Sequence, residues 1–379
     1  MTALPYRHLY LHVPFCARRC AYCDFSIAVR RVVPVQEFVT AVRSEFEVRA
    51  IGQDRLVLDT LYLGGGTPSR LGTEGVAALL EVVREFAHFA DGAEVTLEAN
   101  PEDISERAVM EWARAGVNRL SIGIQSFDDR VLQWMHRVHD AESAARAVHA
   151  ARAGGIDAFS LDLIFALPQG IARNWRDDLE RVVALQPQHV SMYGLTIESG
   201  TPLGRWRARG EVTEAPEDRY EEEFLAAHDV LGSAGFEHYE VSNFSLPGHR
   251  ARHNSAYWRG VPYLGIGPSA HGFDGFERRW NTSAYAGWLR SLEQRNDPIQ
   301  GCELLTAENR VAEEVYLGLR TSLGLEVAEH EWNSMSSWQA AGWVERIPHA
   351  PTLRIRCTPQ GWLRLDALAA DLTARRSHS

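Results

Sequence analysis

A chain of 379 residues with 45% hydrophobic and 23% charged side chains has the balance of a globular protein, long enough for one large domain and a smaller one. Its 39 basic and 50 acidic residues leave a net charge of −11 with no basic stripe, which argues against nucleic acid as a partner. No stretch approaches the roughly 20 apolar residues of a membrane span, and Met1–Arg7 lacks the form of a secretory signal, so a cytoplasmic protein without a membrane span is expected.

The first two thirds of the chain alternate strand-like and helix-like segments. Strands are expected at His8–Val13, Thr60–Leu63, Glu94–Glu98, Arg119–Ile124, Phe159–Phe165 and Val190–Thr196. Helices are expected between them at Val35–Ala50, Thr73–His88, Ser105–Ala115, Ala141–Ala153 and Asn174–Leu185. Ser105 is placed to cap its helix and Gly116 to end it, while Gly154 and Gly155 end the Ala-rich one. Six β–α units predict an α/β fold with a parallel sheet and outer helices. They are too few for an eight-stranded barrel, and a partial (β/α)6 barrel is expected. A charged helix follows at Asp218–Leu231. The stretch Tyr239–Trp280, rich in Gly, Pro, His, Asn and aromatic residues, reads as a long functional loop. Beyond a helix at Tyr285–Gln294 and a linker at Asn296–Pro298, a small unit begins. It should hold a helix over Val311–Leu319, two shorter helices and a Leu353–Arg356/Trp362–Leu365 hairpin, a winged-helix-like order. The domain reading is therefore 1–235 for the barrel, 236–300 for a loop-rich extension and 301–379 for a small C-terminal domain.

Five cysteines are present, and three are crowded into Cys16-Ala-Arg-Arg-Cys20-Ala-Tyr-Cys23 directly after the first strand. An odd count with this crowding is metal ligation in a reducing compartment rather than a disulfide framework. Closely spaced thiolates wrap iron–sulfur clusters, and Arg18 and Arg19 would offset the cluster's charge. Structural zinc is the alternative, but it needs a fourth ligand that no second cysteine pair supplies. Cys302 and Cys357 stand alone and read as ordinary thiols.

Further polar motifs fall at the carboxyl ends of expected strands, where parallel α/β folds bind ligands. They are Gly64-Gly65-Gly66-Thr67-Pro68, Glu98-Ala99-Asn100-Pro101, Gln125 and Asp162. The glycine run lets backbone N–H groups approach a ligand closely, and without a following Gly-Lys-Ser/Thr it is not a P-loop. Glu98 suits an ammonium, Asp162 a ribose hydroxyl and Arg137 a carboxylate. Their shared edge is the reason to expect a curved barrel over an open sheet.

The C-x3-C-x2-C spacing with Tyr22 before the last cysteine resembles the signature of the radical S-adenosylmethionine superfamily. The resemblance implies a 4Fe–4S cluster on Cys16, Cys20 and Cys23, with one iron left open for S-adenosylmethionine. The order of motifs over roughly residues 8–300 is similar to that of the oxygen-independent coproporphyrinogen III oxidase-like family. By that resemblance Tyr10, Tyr22, Gly65, Gly66, Thr67, Glu98, Gln125, Arg137 and Asp162 would contact S-adenosylmethionine.

Two features depart from the oxidase itself: Phe25 stands where the oxidase pattern has a further cysteine, and only 15 residues precede Cys16. The segment His253-Asn254-Ser255-Ala256-Tyr257-Trp258 resembles instead the motif of the family's haem-chaperone branch. That resemblance implies haem as ligand, with His253 as iron ligand and Asn254, Tyr257 and Trp258 beside it, and transfer of haem to an acceptor protein. Arg250, Arg252 and Arg259 are suited to the haem propionates. Radical decarboxylation of coproporphyrinogen III, or radical methyl transfer, is the enzymatic alternative, and a purely structural metal site the third. The sequence leaves monomer and homodimer both open.

Overall fold

Alternation along the strands sets the architecture of the computed structural model, which describes residues 6–51 and 55–377. The first five residues of the segment read for a targeting signal lie outside the described residues. In β1 (His8–Val13), Leu9, Leu11 and Val13 are fully buried, and His8, Tyr10 and His12 point to the other face. The same division recurs in β2 (Leu56–Gly65), β3 (Ala87–Ala99), β4 (Arg119–Gln125), β5 (Phe159–Phe165) and β6 (His189–Gly194). One face carries Leu61, Leu63, Leu97, Ile122, Leu161 and Val190, all in the main apolar core. The other carries Thr60, Tyr62, Glu98, Ser121, Asp162 and Tyr193, and it becomes the inside of a curved sheet.

The outer face is covered by α1 (Val35–Val48), α2 (Gly72–Phe86), α3 (Glu106–Ala115), α4 (Ala141–Ala153), α5 (Trp175–Ala184) and α6 (Glu217–Ser233). Ser105 accepts a hydrogen bond from the Ala108 N–H, and Gly116 closes α3 in the left-handed conformation at φ 114°, as expected. β1 to β6 pair in parallel in chain order. Beyond β6, β8 (Asn243–Ser245) pairs antiparallel and carries β7 (Glu237–Glu240); β9 (Leu264–Ile266) joins β1 in parallel on the other edge. The result is a nine-stranded sheet in the order β9-β1-β2-β3-β4-β5-β6-β8-β7, whose end strands do not meet among the described residues: a partial barrel.

The stretch read as a long loop, Tyr239–Trp280, is corrected by this topology. It supplies edge strands of the main sheet, the helix α7 (Arg252–Trp258), and strands His271–Phe273 and Glu277–Asn281 of a separate three-stranded sheet with Ile299–Leu304. Its elements run three to seven residues, too short for a hydrophobic period to show. Farther on, a helix at Ala307–Arg320, a strand at Leu325–Glu326, helices at Glu329–Ser334 and Ser336–Ala340, and a hairpin follow. The hairpin pairs Val344–Arg346 with Arg354–Cys357, not with Trp362–Leu365. Thr358 caps the next turn with Pro359 at its first position, which makes Pro359–Trp362 helical.

A buried ionic cluster joins α1 to the segment after β9. Glu45, fully buried, pairs with Arg49 at 2.8 Å and accepts hydrogen bonds from Trp288 Nε1, Asn281 Nδ2 and the Gly267 N–H. Every lone pair is used, so the carboxylate's desolvation is offset. Glu45→Ala strands the Arg49 guanidinium without its carboxylate. A loss of about 3–5 kcal/mol in unfolding free energy is expected, read from urea unfolding curves.

Candidate functional site

The cysteine loop is clamped at its base. Phe15–Cys16 pairs with Ala28–Val29, with the Ala28 N–H on the Pro14 carbonyl at 2.7 Å and the Arg30 N–H on the Cys16 carbonyl at 3.0 Å. Phe15 anchors this clamp in the core against Phe38 and Tyr285. Ala21, fully buried, fixes the loop's middle by donating to the Met135 carbonyl and accepting from the Leu203 N–H. The three sulfurs thereby line one cavity of about 480 Å³ at the carboxyl ends of the strands.

Arg137 holds the cysteine loop to the strand ends. Its Nη1 lies 3.6 Å from Cys20 Sγ, and its Nη2 donates to Asn100 Oδ1 at 2.7 Å and to the Gly123 carbonyl at 2.8 Å. The guanidinium expected to meet a ligand carboxylate thus also bonds the protein, while its Nε has no partner among the described residues. It places a positive charge against Cys20, as a cluster of thiolates requires. Burial pushes the thiol of Cys16 up, and that of Cys23 to about 11, a penalty on thiolates that coordination reverses. Three cysteines on one loop, lining one cavity, give a four-iron cluster one thiolate for each of three irons. The donor set fits the cluster.

Tyr22, Gly65, Gly66, Thr67, Glu98, Gln125, Arg137 and Asp162 all line this cavity. Tyr10 does not: its ring stacks behind Tyr62 at 6.2 Å and its hydroxyl meets His12 Nδ1 at 3.0 Å. Glu98 accepts from the Tyr62 hydroxyl at 2.8 Å and from the Gly65 N–H at 3.0 Å. Burial, reinforced by the charge of Asp162, pushes its carboxyl up to about 7. Asp162 accepts from Ser121 and Ser160 hydroxyls at 2.8 and 3.1 Å, and burial raises its pKa also. Tyr62, Ser121 and Tyr193 line the cavity too and were missed. Parity is the signal that finds two of them, since Tyr62 shares its strand's inward face with Gly64 and Ser121 with Gln125; Tyr193 lies on β6, which carries no motif residue.

Gly65 sits at φ 115°, and a Cβ there would lie 2.6 Å from the His12 ring; a Cβ on Gly66 would lie 2.7 Å from the Pro14 carbonyl. The glycines are needed because β2 ends hard against β1, and this exposes the Gly65 N–H to Glu98.

His253 to Trp258 lie at the opposite, amino-terminal ends of the strands. His253 was expected on a loop with a ring nitrogen free for iron; it lies on α7 and is fully enclosed. Its Nδ1 is 2.7 Å from Thr60 Oγ1, its Nε2 is 2.8 Å from the Tyr257 hydroxyl, and its ring stacks on Tyr62 at 5.2 Å. Both nitrogens are therefore engaged within the protein. The first turn of α7 donates its Arg252 and His253 N–H groups to Glu94, which also faces Arg119 at 3.8 Å, so the helix seals the barrel base. Asn254 is half-buried beside it, and Trp258 faces away from the barrel under the guanidinium of Arg320.

A partial α/β barrel with a three-cysteine loop and converging polar groups at its strand ends defines a radical S-adenosylmethionine protein. The family model described as the radical SAM superfamily matches residues 10–182. The chain is 36% identical to the heme chaperone HemW of Synechocystis sp. over 84% of its own length and 79% of that protein's. It is 39% identical to heme chaperone HemW of Mycobacterium tuberculosis, over 84% and 83%. The structure of coproporphyrinogen III oxidase (HemN) from Escherichia coli superposes with a TM-score of 0.81 at 21% identity, over 98% of this chain and 91% of that one, a likeness of fold. The chain belongs to the HemW family of the radical S-adenosylmethionine superfamily. Its cofactors are accordingly a 4Fe–4S cluster and S-adenosylmethionine.

Two outcomes follow from this geometry. With Glu98 as acceptor of the ligand's ammonium, as the resemblance implies, its carboxyl must ionise first, so S-adenosylmethionine should bind the cluster-loaded protein more tightly as pH rises through about 7, with uptake of the ligand releasing a proton. Because the folded value is raised, the free protein correspondingly loses stability between the ordinary carboxylate range and about pH 7. Calorimetric titration in buffers of different ionisation heat reads the proton, and Glu98→Gln should flatten the profile. Gly65→Ala should cost about 1–3 kcal/mol of stability and weaken S-adenosylmethionine binding, as seen by thermal melting and equilibrium dialysis.

Proposed function

We propose that this protein is a haem chaperone, which binds haem and passes it to an acceptor protein in the cytoplasm, as a monomer or homodimer. The observation that carries the reading is its 36–39% identity to proteins named heme chaperone HemW across more than four fifths of the chain. Phe25 in place of a further cysteine supports it over the oxidase; it is 62% exposed at the cavity rim and supplies no ligand. Among the described residues no helix is long and apolar enough to cross a membrane, which suits a freely diffusing carrier.

When bound, the cluster offers an open iron to the amino and carboxylate groups of S-adenosylmethionine. The chain's own residues orient that ligand: Glu98 accepts from its ammonium, Asp162 from a ribose hydroxyl, and the Gly65–Thr67 turn lets it approach the backbone. Tyr22 closes the cysteine side. In this reading residues 1–235 hold the cluster, 236–300 carry the haem-facing helix with His253, Asn254, Tyr257 and Trp258, and 301–379 form the remaining unit. His253 then serves the haem site through its neighbours, since its own ring nitrogens are both occupied.

Haem titrated into the anaerobically reconstituted protein should give a saturable Soret change at one haem per chain, and coproporphyrinogen III should yield no protoporphyrinogen in an anaerobic assay. Protoporphyrinogen formation without stable haem binding would replace the chaperone by the oxidase.

A further inference from the structure

The amino-terminal ends of the strands open onto a second cavity, about 950 Å³, on the far side of the barrel from the cysteine loop. His8, Asp59 and α7 bound it on the barrel side, and the helix Ala307–Arg320 with Leu323–Leu325 bounds it opposite. Its size is within the range of sites for large organic cofactors. Its walls carry apolar groups, guanidinium groups and carboxylates, and the carboxylates are already paired: Asp59 with Arg7, Glu313 with Arg278, Glu314 with Arg376 and Glu326 with Arg354. Trp258, Phe273, Leu317 and Leu323 are apolar and aromatic. Arg252, Arg259 and Arg310 supply guanidinium groups that have no carboxylate within ion-pairing distance among the described residues. Arg252 donates to the Gly92 carbonyl, Arg259 to the Ser255 carbonyl, and Arg310 lies over the Phe276 ring. Arg250, by contrast, is already paired with Glu237.

One imidazole completes the set. His8 lines the cavity and its Nδ1 lies 2.9 Å from Thr60 Oγ1, while its Nε2 has no hydrogen-bond partner among the described residues. The same Thr60 hydroxyl meets His253 Nδ1, and His253 Nε2 meets the Tyr257 hydroxyl. These distances allow two proton orders, and in one of them His8 Nδ1–H donates to Thr60, the Thr60 hydroxyl donates to His253 Nδ1, and His253 Nε2–H donates to Tyr257. That order leaves a lone pair on His8 Nε2, facing the cavity side. A metal-bound histidine is held this way, with its second nitrogen donating to a fixed partner.

We propose that this cavity is the haem site, with His8 Nε2 as the axial ligand to iron, the guanidinium groups of Arg252, Arg259 and Arg310 taking the propionates, and Trp258 and Leu317 against the porphyrin. His253 is a positioning residue, setting the tautomer of His8 through Thr60. The assignment rests on the haem-chaperone reading and deepens it: haem and S-adenosylmethionine occupy opposite ends of one barrel. Burial holds the His8 pKa below its ordinary value, which keeps the ring in the neutral, ligating form at pH 7.

The test is titration of ferric haem into the full-length, cluster-loaded protein, read by the Soret band and by electron paramagnetic resonance of the haem iron. His8→Ala should lose the histidine-ligated signature and at least about tenfold in affinity, and added imidazole should restore the signature. His253→Ala should keep a histidine-ligated signature with affinity lowered about 10–100-fold. An Arg252→Ala/Arg259→Ala double variant should weaken haem binding without changing the signature. S-adenosylmethionine binding by His8→Ala should equal that of the parent, which shows that the variant is folded. Haem binding unchanged in His8→Ala, with the signature lost in His253→Ala, would overturn the assignment of His8 and leave the chaperone reading standing. No haem binding by the parent protein would overturn both.

Discussion

Six strands with a polar inner face impose the constraint on which the rest depends. Each inward hydroxyl, imidazole and carboxylate has left water and must find a partner, because a buried polar group without one costs about 1–3 kcal/mol. The middle of the barrel meets this by mutual bonding, with Ser160 joined to Asp162, His189 and Ser191 and His189 passing on to Tyr239; the buried Thr96 hydroxyl is the exception, with no partner among the described residues. The base meets it with α7, which lends two backbone N–H groups to Glu94 and an imidazole to Thr60. The mouth is satisfied only in part. Glu98 and Asp162 are protonated more readily than surface carboxylates because burial penalises their charge, and a cationic or hydroxyl-bearing ligand supplies what the protein leaves out. The barrel's stability therefore resides in its outer shell of Leu, Ile and Val against helices, and its interior is kept for chemistry.

Between the two ends runs a short physical connection. His253 stacks on Tyr62, the Tyr62 hydroxyl reaches Glu98, and Glu98 accepts from the Gly65 N–H beside the cysteine loop. Every contact in this series is a packed ring or a hydrogen bond of ordinary length. It links the helix that the haem-chaperone resemblance singles out to the groups that line the cysteine cavity. Such a series becomes a coupling only where one of its members has two arrangements.

Much of this was legible before any coordinates. β1 and β5 begin and end where apolar alternation placed them, and α4 does too, because long periodic segments with Gly or Asp at their ends advertise themselves. The cysteine loop and most of the mouth were readable because motif residues at strand ends share one edge. Three things were not. Tyr10 carries the right parity, but its depth behind Tyr62 depends on strand register across β1 and β2. Arg137 is charged and near the site, yet its bonding to Cys20 and Asn100 depends on how the turn after Met135 folds back on the loop. His253 lies in a run of Gly, Pro and aromatic residues whose seven-residue helix has no side-chain cap of its own; its cap is Glu94, 158 residues away from Arg252 in the chain. Local sequence cannot announce a helix whose N-terminus is satisfied by tertiary contact.

The wall opposite α7 belongs to the last eighty residues of the chain. The helix Ala307–Arg320 and Leu323–Leu325 face the barrel base across the larger cavity, and beside it the two sides meet directly through Arg320 with Glu240 at 2.9 Å, Trp362 against the His238 ring, and Val315 and Leu319 in the shared apolar core. A molecule lodged there touches both sides, so its binding free energy adds to the association of the two parts by mass action. A cargo held there would be a fastener as well as a passenger, gripping the two walls more firmly when the cavity is filled than when it is empty.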